Sequence, residues 1–360
     1  MNPNPIKKIL IIQQKMIGDV LISSVLCSHL KTIHSQAEIH YAIHKGTQPV
    51  VVGHPDIDEF ILSTPKMSWN QWRKFIGQIR GANYDLIIDA YGKLESLFMI
   101  LGAQAPMVHG HKKWFSKMVY TRISTPNARV HTPAGNALED RLRLIYQESE
   151  IAQKALEFKP KIHLSDQEIK WAKDRLKKHK LNKDINLVMV SVLGSSAEKS
   201  LPQSTMAQIL EMLAQQPKTH ILLNYIPSQL DEVQDILSIL PTQYHGQLHQ
   251  EIYGRNLREF LALLSQVDYL VGNEGGAVNM AKALDIPTFT LFSPWINKSA
   301  WNNYADQHTH MGFHLKDYRP ELFDGLSNKE IRQDYQRYYQ SFNFDLFSAT
   351  LNSFCQKHSH

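Results

Sequence analysis

The sequence predicts an α/β protein made of two successive parallel-sheet halves, and three observations lead to that class. Short apolar runs of strand length alternate with amphipathic segments of helix length along most of the chain. The alternation pauses in a polar stretch around residues 157–166 and then resumes, which sets a boundary there. The chain has 360 residues, 43% hydrophobic and 20% charged, a size and balance that suit two cores better than one. The expected limits are 1–160 for an N-terminal half, 161–330 for a C-terminal half and 331–360 for a helical tail.

In the first half, strands are expected at 9–13, 37–43 and 86–89. Ile9, Leu10, Ile11 and Ile12 form an unbroken apolar run, as in a strand covered on both faces. Residues 20–33 carry Val20, Leu21, Val25, Leu26 and Leu30 at helical spacing. A helix or turn is expected over 69–80, and a helix over 137–147 with Leu138, Leu142 and Ile145 on one face. A charged segment at 166–180 then leads into a strand at 186–191. After it come a helix at 203–215, a strand at 220–224, helices at 229–240 and 257–266, a strand at 269–272, a helix at 276–284 and a strand at 288–292. Past residue 293 the sequence turns irregular and aromatic. It closes on a helical segment, about 328–354, rich in Tyr and Phe.

Several function classes are excluded as first choices. Cys27 and Cys355 cannot build a disulfide framework, and no CxxC pair suggests zinc, so a reducing compartment is expected. The apolar run at 9–12 is too short for a signal peptide, and no stretch reaches the roughly 18 apolar residues of a membrane span. A soluble, cytoplasmic protein is expected. No GxGxxG follows the first strand, and Walker A, HExxH and GxSxG motifs are absent.

Three loops can carry chemistry. Lys15 to Asp19 follow the first strand and should line a cleft, since ligands of open parallel sheets bind at the carboxyl ends of strands. Asp19 reads either as a general base or as a helix N-cap. Past the strand at 186–191, Ser195 and Ser196 can donate hydrogen bonds to phosphate oxygens and Lys199 supplies a point charge; the alternative is an ordinary polar loop. Past the strand at 269–272, Gly275 and Gly276 open a helix whose free N–H groups suit an anion, and Glu274 before them suits a sugar hydroxyl; the alternative is a plain capping turn. Two anion-compatible loops in one half and a candidate base in the other suggest a diphosphate donor held by the second half and an acceptor by the first.

These residues resemble glycosyltransferase family 9, the lipopolysaccharide heptosyltransferases. Met16-Ile-Gly-Asp-Val-Leu is similar to the family's opening motif, which implies Asp19 as catalytic base beside Lys15 and Gly18. Asn83-Tyr-Asp-Leu-Ile-Ile-Asp-Ala-Tyr-Gly-Lys resembles its acceptor-side strand and turn, implicating Asp89, Gly92 and Lys93. Ser195, Ser196 and Lys199 match its donor-phosphate residues, and Asn273-Glu-Gly-Gly-Ala resembles its donor-binding helix start, implicating Glu274, Gly275, Gly276 and Ala277. Asp231 is the stand-in for the acid expected on the ribose. The likeness runs from about residue 6 to 295. Two departures accompany it: Gly275-Gly276 and Asn279 stand where the family carries a hydroxyl and a histidine, and the segment 292–320, with Trp295 and Trp301, differs from the better-known heptosyltransferases.

The resemblance implies a GT-B fold, two Rossmann-like domains facing a cleft. It implies an inverting glycosyltransferase moving a heptose or related sugar from a nucleotide-diphosphate donor, ADP-heptose foremost, to the inner core of lipopolysaccharide or lipooligosaccharide. No Asp-x-Asp motif stands in the half expected to hold the donor, so no metal and no other cofactor is expected. A non-catalytic nucleotide-sugar-binding protein and a sugar-nucleotide epimerase on the same fold are the rival readings.

The net charge of +5 is uneven. Residues 1–160 hold 19 basic and 13 acidic side chains, so the whole excess lies in the half expected to meet an anionic acceptor on the cytoplasmic face of the inner membrane. Lys112, Lys113, Lys117, Arg122 and Arg129 form the cluster, with Lys112, Lys113 and Arg122 as acceptor residues. Nucleic acid is not expected as a partner. Trp69 and Trp72, beside Arg73 and Lys74, read as core packing or as a lipid contact. His308, His310 and His314 read as packing or solvated residues rather than metal ligands, and His358 and His360 as a disordered end.

Overall fold

Ile9, Leu10, Ile11 and Ile12 are fully buried, which makes their strand the centre of a sheet in the computed structural model of the chain. The structure describes residues 5–64, 66–126, 132–181, 184–306 and 308–359. Complete burial of such side chains is worth about 1.5–3 kcal/mol each. The first sheet comprises β1 (Lys8–Ile12), β2 (Glu38–His44), β3 (Glu59–Ser63), β4 (Leu86–Asp89), β5 (Met107–His111) and β6 (Arg122–Ser124), in the order β3-β2-β1-β4-β5-β6. All its pairs are parallel; Ile12 lies opposite Ala42 on one side and Asp89 on the other. Parallel neighbours need crossovers. These are α1 (Ile17–Ser23) with α2 (Val25–Ile33), α3 (Trp69–Gly81), α4 (Leu94–Ala103) and α5 (Ser116–Val119); α6 (Asn136–Leu142) and α7 (Glu148–Lys154) follow the last strand.

The second sheet repeats this plan. After α8 (Asp166–Lys178) come β7 (Asn186–Ser191), α9 (Gln203–Ala214), β8 (Thr219–Asn224), α10 (Leu230–Ile239), β9 (Leu248–His249), α11 (Leu257–Leu264), β10 (Tyr269–Asn273), α12 (Gly276–Ala283), β11 (Thr288–Leu291), α13 (Lys298–Trp301) and β12 (His310–Phe313). Their order is β12-β11-β10-β7-β8-β9, again parallel throughout. Numbered from its own first strand, each sheet reads 3-2-1-4-5-6, the Rossmann order. The chain is therefore of the GT-B class, two Rossmann-like α/β units. Residues up to His163 form one with Ser299–Asn303; Leu164–Lys298 and the residues from Tyr304 onward form the other.

Three expectations change. The helix expected over 20–33 divides at Ser24, whose hydroxyl donates to the Leu21 carbonyl at 2.7 Å. The helical segment 328–354 divides into α14 (Asn328–Gln333), α15 (Tyr335–Ser341) and α16 (Ser348–His358). Phe342, Phe347, Leu351 and Phe354 bury completely or nearly so against Phe289, Phe313 and Tyr269, so these helices close the second core and are not an appended tail. His358, expected to be disordered, is the last residue of α16 and its Nε2 lies 2.9 Å from the His308 carbonyl oxygen. His360 lies outside the described residues.

Candidate active site

In a parallel sheet the loops diverge where strand order reverses, leaving a crevice at the carboxyl ends of the two strands. That point falls between β1 and β4 in the first unit and between β7 and β10 in the second. Most of the residues singled out above sit on these four loops.

In the first unit, β1 runs through buried Gln13 and Gln14 to Met16, whose φ of 67° turns the chain into α1. Met16 is thus the N-cap, and Asp19 lies in the first turn, where a carboxylate suits the helix dipole. Its Oδ1 accepts from Arg141 Nη2 at 2.6 Å. Arg141, on α6, also donates through Nε to Ser23 Oγ at 3.2 Å and through Nη1 to the Ala137 carbonyl at 3.2 Å. Oδ2 has no hydrogen bond among the described residues, and the carboxylate keeps 21% of its surface open. One oxygen is anchored and the other is available. Gly18 shares the turn. Lys15 reaches Glu95 Oε1 at 2.9 Å, linking the β1 and β4 loops, and this hydrogen bond raises the lysine's pKa.

Asp89 corrects an expectation. It is fully buried, not open to an acceptor. Its Oδ1 accepts from the Tyr91 and Gly92 amides at 3.1 and 2.8 Å, and its Oδ2 from Ser96 Oγ and Tyr120 Oη at 2.9 and 2.6 Å. Burial pushes its pKa up against those four bonds. Asp89 shapes the turn on which Gly92 (φ 60°) and exposed Lys93 stand. A Cβ at Gly92 would come 3.0 Å from Lys113 Cε, so that lysine packs over the turn. Lys112 and Lys113 are exposed after β5. Arg122 is turned inward instead, its Nη1 donating to the Ile145 carbonyl at 2.9 Å and its Nη2 to that of Tyr146. Its guanidinium is held by the protein's own backbone. Arg129 lies outside the described residues.

In the second unit, the chain leaves β7 through Gly194, Ser195 and Ser196 into a 3-10 turn, Ala197–Lys199. A Cβ at Gly194 would lie 2.3 Å from the Lys199 carbonyl oxygen, so only glycine lets the loop fold back this closely. Ser200 Oγ accepts from the Gly194 amide and donates to the Ser196 carbonyl, both at 2.9 Å. The Glu198 carbonyl accepts from Ser293 Oγ (2.7 Å), Trp295 Nε1 (3.1 Å) and Tyr339 Oη (3.4 Å). Arg332 binds the Glu198 carboxylate and holds its pKa down to about 2. The Trp295 ring takes Lys199 Nζ at 5.4 Å and the Arg332 guanidinium at 4.7 Å from its centroid.

Buried Asn273 ties this loop to the next, accepting from the Leu201 amide at 2.9 Å and donating to the Ser191 and Val192 carbonyls at 3.2 and 2.8 Å. Glu274 follows, its Oε1 3.3 Å from Lys199 Nζ but without hydrogen-bond geometry. Gly275 (φ 152°) caps α12 with no side-chain bond, and nothing lies within 4 Å of where its Cβ would stand. The amides of Gly276 and Ala277 thus open onto free space beside a lysine. That is the electrostatics of an anion site.

At the carboxyl end of β8 lies a cavity of about 370 Å³, walled by Leu222, Leu230, Ile252 and Leu263 with Tyr225, Tyr253 and Arg255 among its lining. Gln229 Nε2, from the turn at its edge, donates to the Gly194 carbonyl at 2.8 Å. Asp231 is exposed in the first turn of α10 and does not line the cavity, although its neighbour Leu230 does.

His310 pairs with Thr288 at 3.2 Å, and His314 Nδ1 accepts from the Lys316 amide at 2.9 Å, which are packing roles. Among the described residues no three His, Cys, Asp or Glu side chains converge as metal ligands would.

Sequence reasoning missed Arg141, Tyr225, Tyr253, Arg255, Arg332 and Tyr339. None stands in a motif, and Arg141 is 122 positions from the aspartate it holds. Trp295 was visible only as a departure in an irregular segment.

Known proteins share this fold and much of the length of this chain. Lipopolysaccharide heptosyltransferase 1 of Campylobacter coli is 22% identical over 303 residues, 79% of this chain and 83% of that one. The crystal structure of a glycosyl transferase family 9 protein from Veillonella parvula superposes with a TM-score of 0.71 at 14% identity, covering 93% of this chain and 97% of the other. The Escherichia coli ADP-heptose lps heptosyltransferase II superposes at 0.68 and 18%, covering 92% and 98%. Structural likeness at such identities speaks for the fold alone. The family model of glycosyltransferase family 9 (heptosyltransferase) matches residues 72–322, from within α3 through both loops of the second switch point, with the Asp19 loop preceding it. With more than half its length matched in this way, the chain belongs to glycosyltransferase family 9 and is a glycosyltransferase.

Proposed function

We propose that this enzyme transfers a heptose, or a related sugar, with inversion from a nucleotide-diphosphate donor to the inner core of lipopolysaccharide or lipooligosaccharide in the cytoplasm, and that ADP-heptose is the donor. The observation that carries the reading is the pairing of Lys199 with the uncapped N-terminus of α12 at Gly275 and Gly276. A diphosphate has the charge to take Lys199 from Glu274 and the oxygens to accept the Gly276 and Ala277 amides, with Ser195 and Ser196 as further donors. Glu274, released, then has a carboxylate free for a sugar hydroxyl. The apolar cavity walled by Leu222, Leu230 and Leu263 suits a nucleobase, with Tyr225 and Tyr253 offering aromatic faces. The names of the Campylobacter and Escherichia coli relatives point to the same sugar and acceptor.

Asp19 is the base in this scheme. As the acceptor hydroxyl attacks the anomeric carbon, its proton passes to Oδ2, the C–O bond to the diphosphate breaks, and the leaving phosphate carries away the electron pair. Arg141 fixes the rotamer and keeps Oδ1 occupied, so one oxygen faces the acceptor. The acceptor's own phosphates and acid sugars would meet Lys93, Lys112 and Lys113.

A thermal-shift panel of nucleoside diphosphates and nucleotide sugars tests the donor half. Selective stabilisation by ADP and ADP-heptose is expected; preference for a uridine or guanosine compound overturns the donor assignment. Glu274→Gln provides a second check. With Lys199 no longer paired, ADP should bind several-fold more tightly while turnover falls.

A further inference from the structure

We propose that the outer face of α3, α4 and α5 in the first unit is a docking surface for an anionic lipid bilayer.

α4 is apolar on both of its sides. Ser96, Met99, Ile100 and Ala103 are buried towards the sheet, while Leu94, Phe98 and Leu101, spaced four and three apart on the other side, face solvent. An amphipathic surface helix would carry polar residues at those outer positions, and a helix apolar all round has a second partner. The flanking helices extend the same face. Phe75 and Ile79 of α3, Met99 and Ile100 of α4, and Phe115 just before α5 share one core against Leu10, Ile12, Ile87 and Val108, so all three lie on one side of the sheet. Trp72 stacks on Phe75 at 5.6 Å and meets Phe98 edge-on at 6.3 Å; Trp114 meets Phe115 edge-on at 5.3 Å. Outside this layer stand Trp69, Leu94, Phe98, Leu101, Trp114 and Met118, each more than half exposed (54–82%). A contiguous apolar set of this kind marks an interaction site.

Charge selects the occupant. From residue 66 to residue 122 the chain carries nine Lys and Arg and only three acids, Asp85, Asp89 and Glu95. Asp85 accepts from the Lys7 and Lys8 amides, Asp89 is buried in its turn and Glu95 is paired with Lys15. Exposed Arg73, Lys74, Lys93, Lys112, Lys113 and Lys117 therefore surround the apolar residues without local acids to neutralise them. Tryptophan, leucine and phenylalanine ringed by lysine is the composition of an interfacial membrane contact, where rings and aliphatic chains enter the acyl boundary and ammonium groups remain at the phosphates.

Co-sedimentation of the full chain with vesicles of phosphatidylethanolamine and phosphatidylglycerol (3:1), and with pure phosphatidylcholine vesicles, tests this. Binding to the anionic vesicles is expected to be at least tenfold stronger and to weaken in high salt. The triple variant Leu94→Ser/Phe98→Ser/Leu101→Ser should lose at least tenfold of that binding, and Lys74→Glu/Lys117→Glu several-fold. Both variants should keep the wild-type melting temperature and turnover on a deacylated, soluble acceptor. Absence of wild-type binding to anionic vesicles, equal binding by the triple variant, or a wild-type dimer in sedimentation velocity that the triple variant converts to monomer with vesicle binding unchanged would each overturn the proposal. Vesicle binding without turnover on any soluble acceptor would instead overturn the transferase reading and leave this one standing.

Discussion

Each unit holds an arginine–carboxylate pair at the same distance, 2.6 Å, and of similar burial: Arg141 with Asp19 in the first, Arg258 with Glu168 in the second. They differ in what is left over. Arg258 grips both Glu168 oxygens through Nε and Nη2, and Ser165 adds its amide and hydroxyl at 2.8 and 2.9 Å, completing the capping box of α8. Both oxygens of Glu168 are engaged in holding the helix start. Arg141 takes one oxygen of Asp19 and leaves the other exposed at a switch point. An ion pair that saturates its carboxylate fastens the fold, whereas one that occupies half of it aims the rest.

The comparison breaks most readily at Asp19. Asp19→Asn should lower kcat by about 10²–10⁴-fold while ADP binding stays within twofold, since general-base catalysis contributes that much. Near-native turnover would remove the distinction between the pairs. Next is Lys199→Ala, which should cost about 10–100-fold in kcat/KM for the donor, the value of one charge-assisted hydrogen bond of roughly 1.5–3 kcal/mol. Arg141→Lys keeps the charge but loses the planar fork that also holds Ser23 and Ala137. A drop in kcat of about tenfold, with donor affinity and melting temperature nearly unchanged, is expected from steady-state kinetics and calorimetry.

The smallest effect lies in the second unit. Glu168 is held down to about pKa 2, first by Arg258. A depressed carboxylate pKa contributes stability above its unfolded value, near 4.3, and that contribution disappears as pH falls through the folded value near 2. Glu168→Gln should thus lower stability by about 0.5–1 kcal/mol at pH 7, the range of a partly exposed pair. The difference should shrink steadily below pH 4, and kcat should not change. A kinetic defect in this variant would show that the saturated pair also serves the reaction.

What could be read from the sequence follows from how local each feature is. β4 and β7 are built on unbroken apolar runs, Leu86 to Ile88 and Leu187 to Val190, and the strands expected at 86–89 and 186–191 coincide with them. β3, β5 and β12 carry polar, histidine or glycine positions (Glu59, His109, Gly110, His111, His310), and β6 has only three residues; their identity as strands comes from pairing with a neighbour. α4 gave no amphipathic signal because both of its sides are apolar. In the site, Gly275 and Lys199 were legible because backbone freedom and charge are properties of single residues. Whether Asp89 and Arg122 faced outward was not, because that depends on Tyr120 and on the Ile145 carbonyl, reached only after folding. The cavity beside Tyr225 is assembled from loops about 30 residues apart and has no local signature.

The placement of the last helices bears on the order in which the protein can be made. Synthesis runs from the N-terminus, and domains fold as units as they emerge. The first unit, however, includes Ser299–Asn303, where Asn303 crowds Gly135 so closely that a Cβ there would lie 2.3 Å from its Oδ1. The second core waits for Phe342, Phe347, Leu351 and Phe354. A ribosome making this chain therefore leaves the faces of Phe289 and Phe313 uncovered until those four residues have emerged. Truncation before Phe342 would leave an open aromatic core, and that uncovered face is what a chaperone of nascent chains would bind in the second unit.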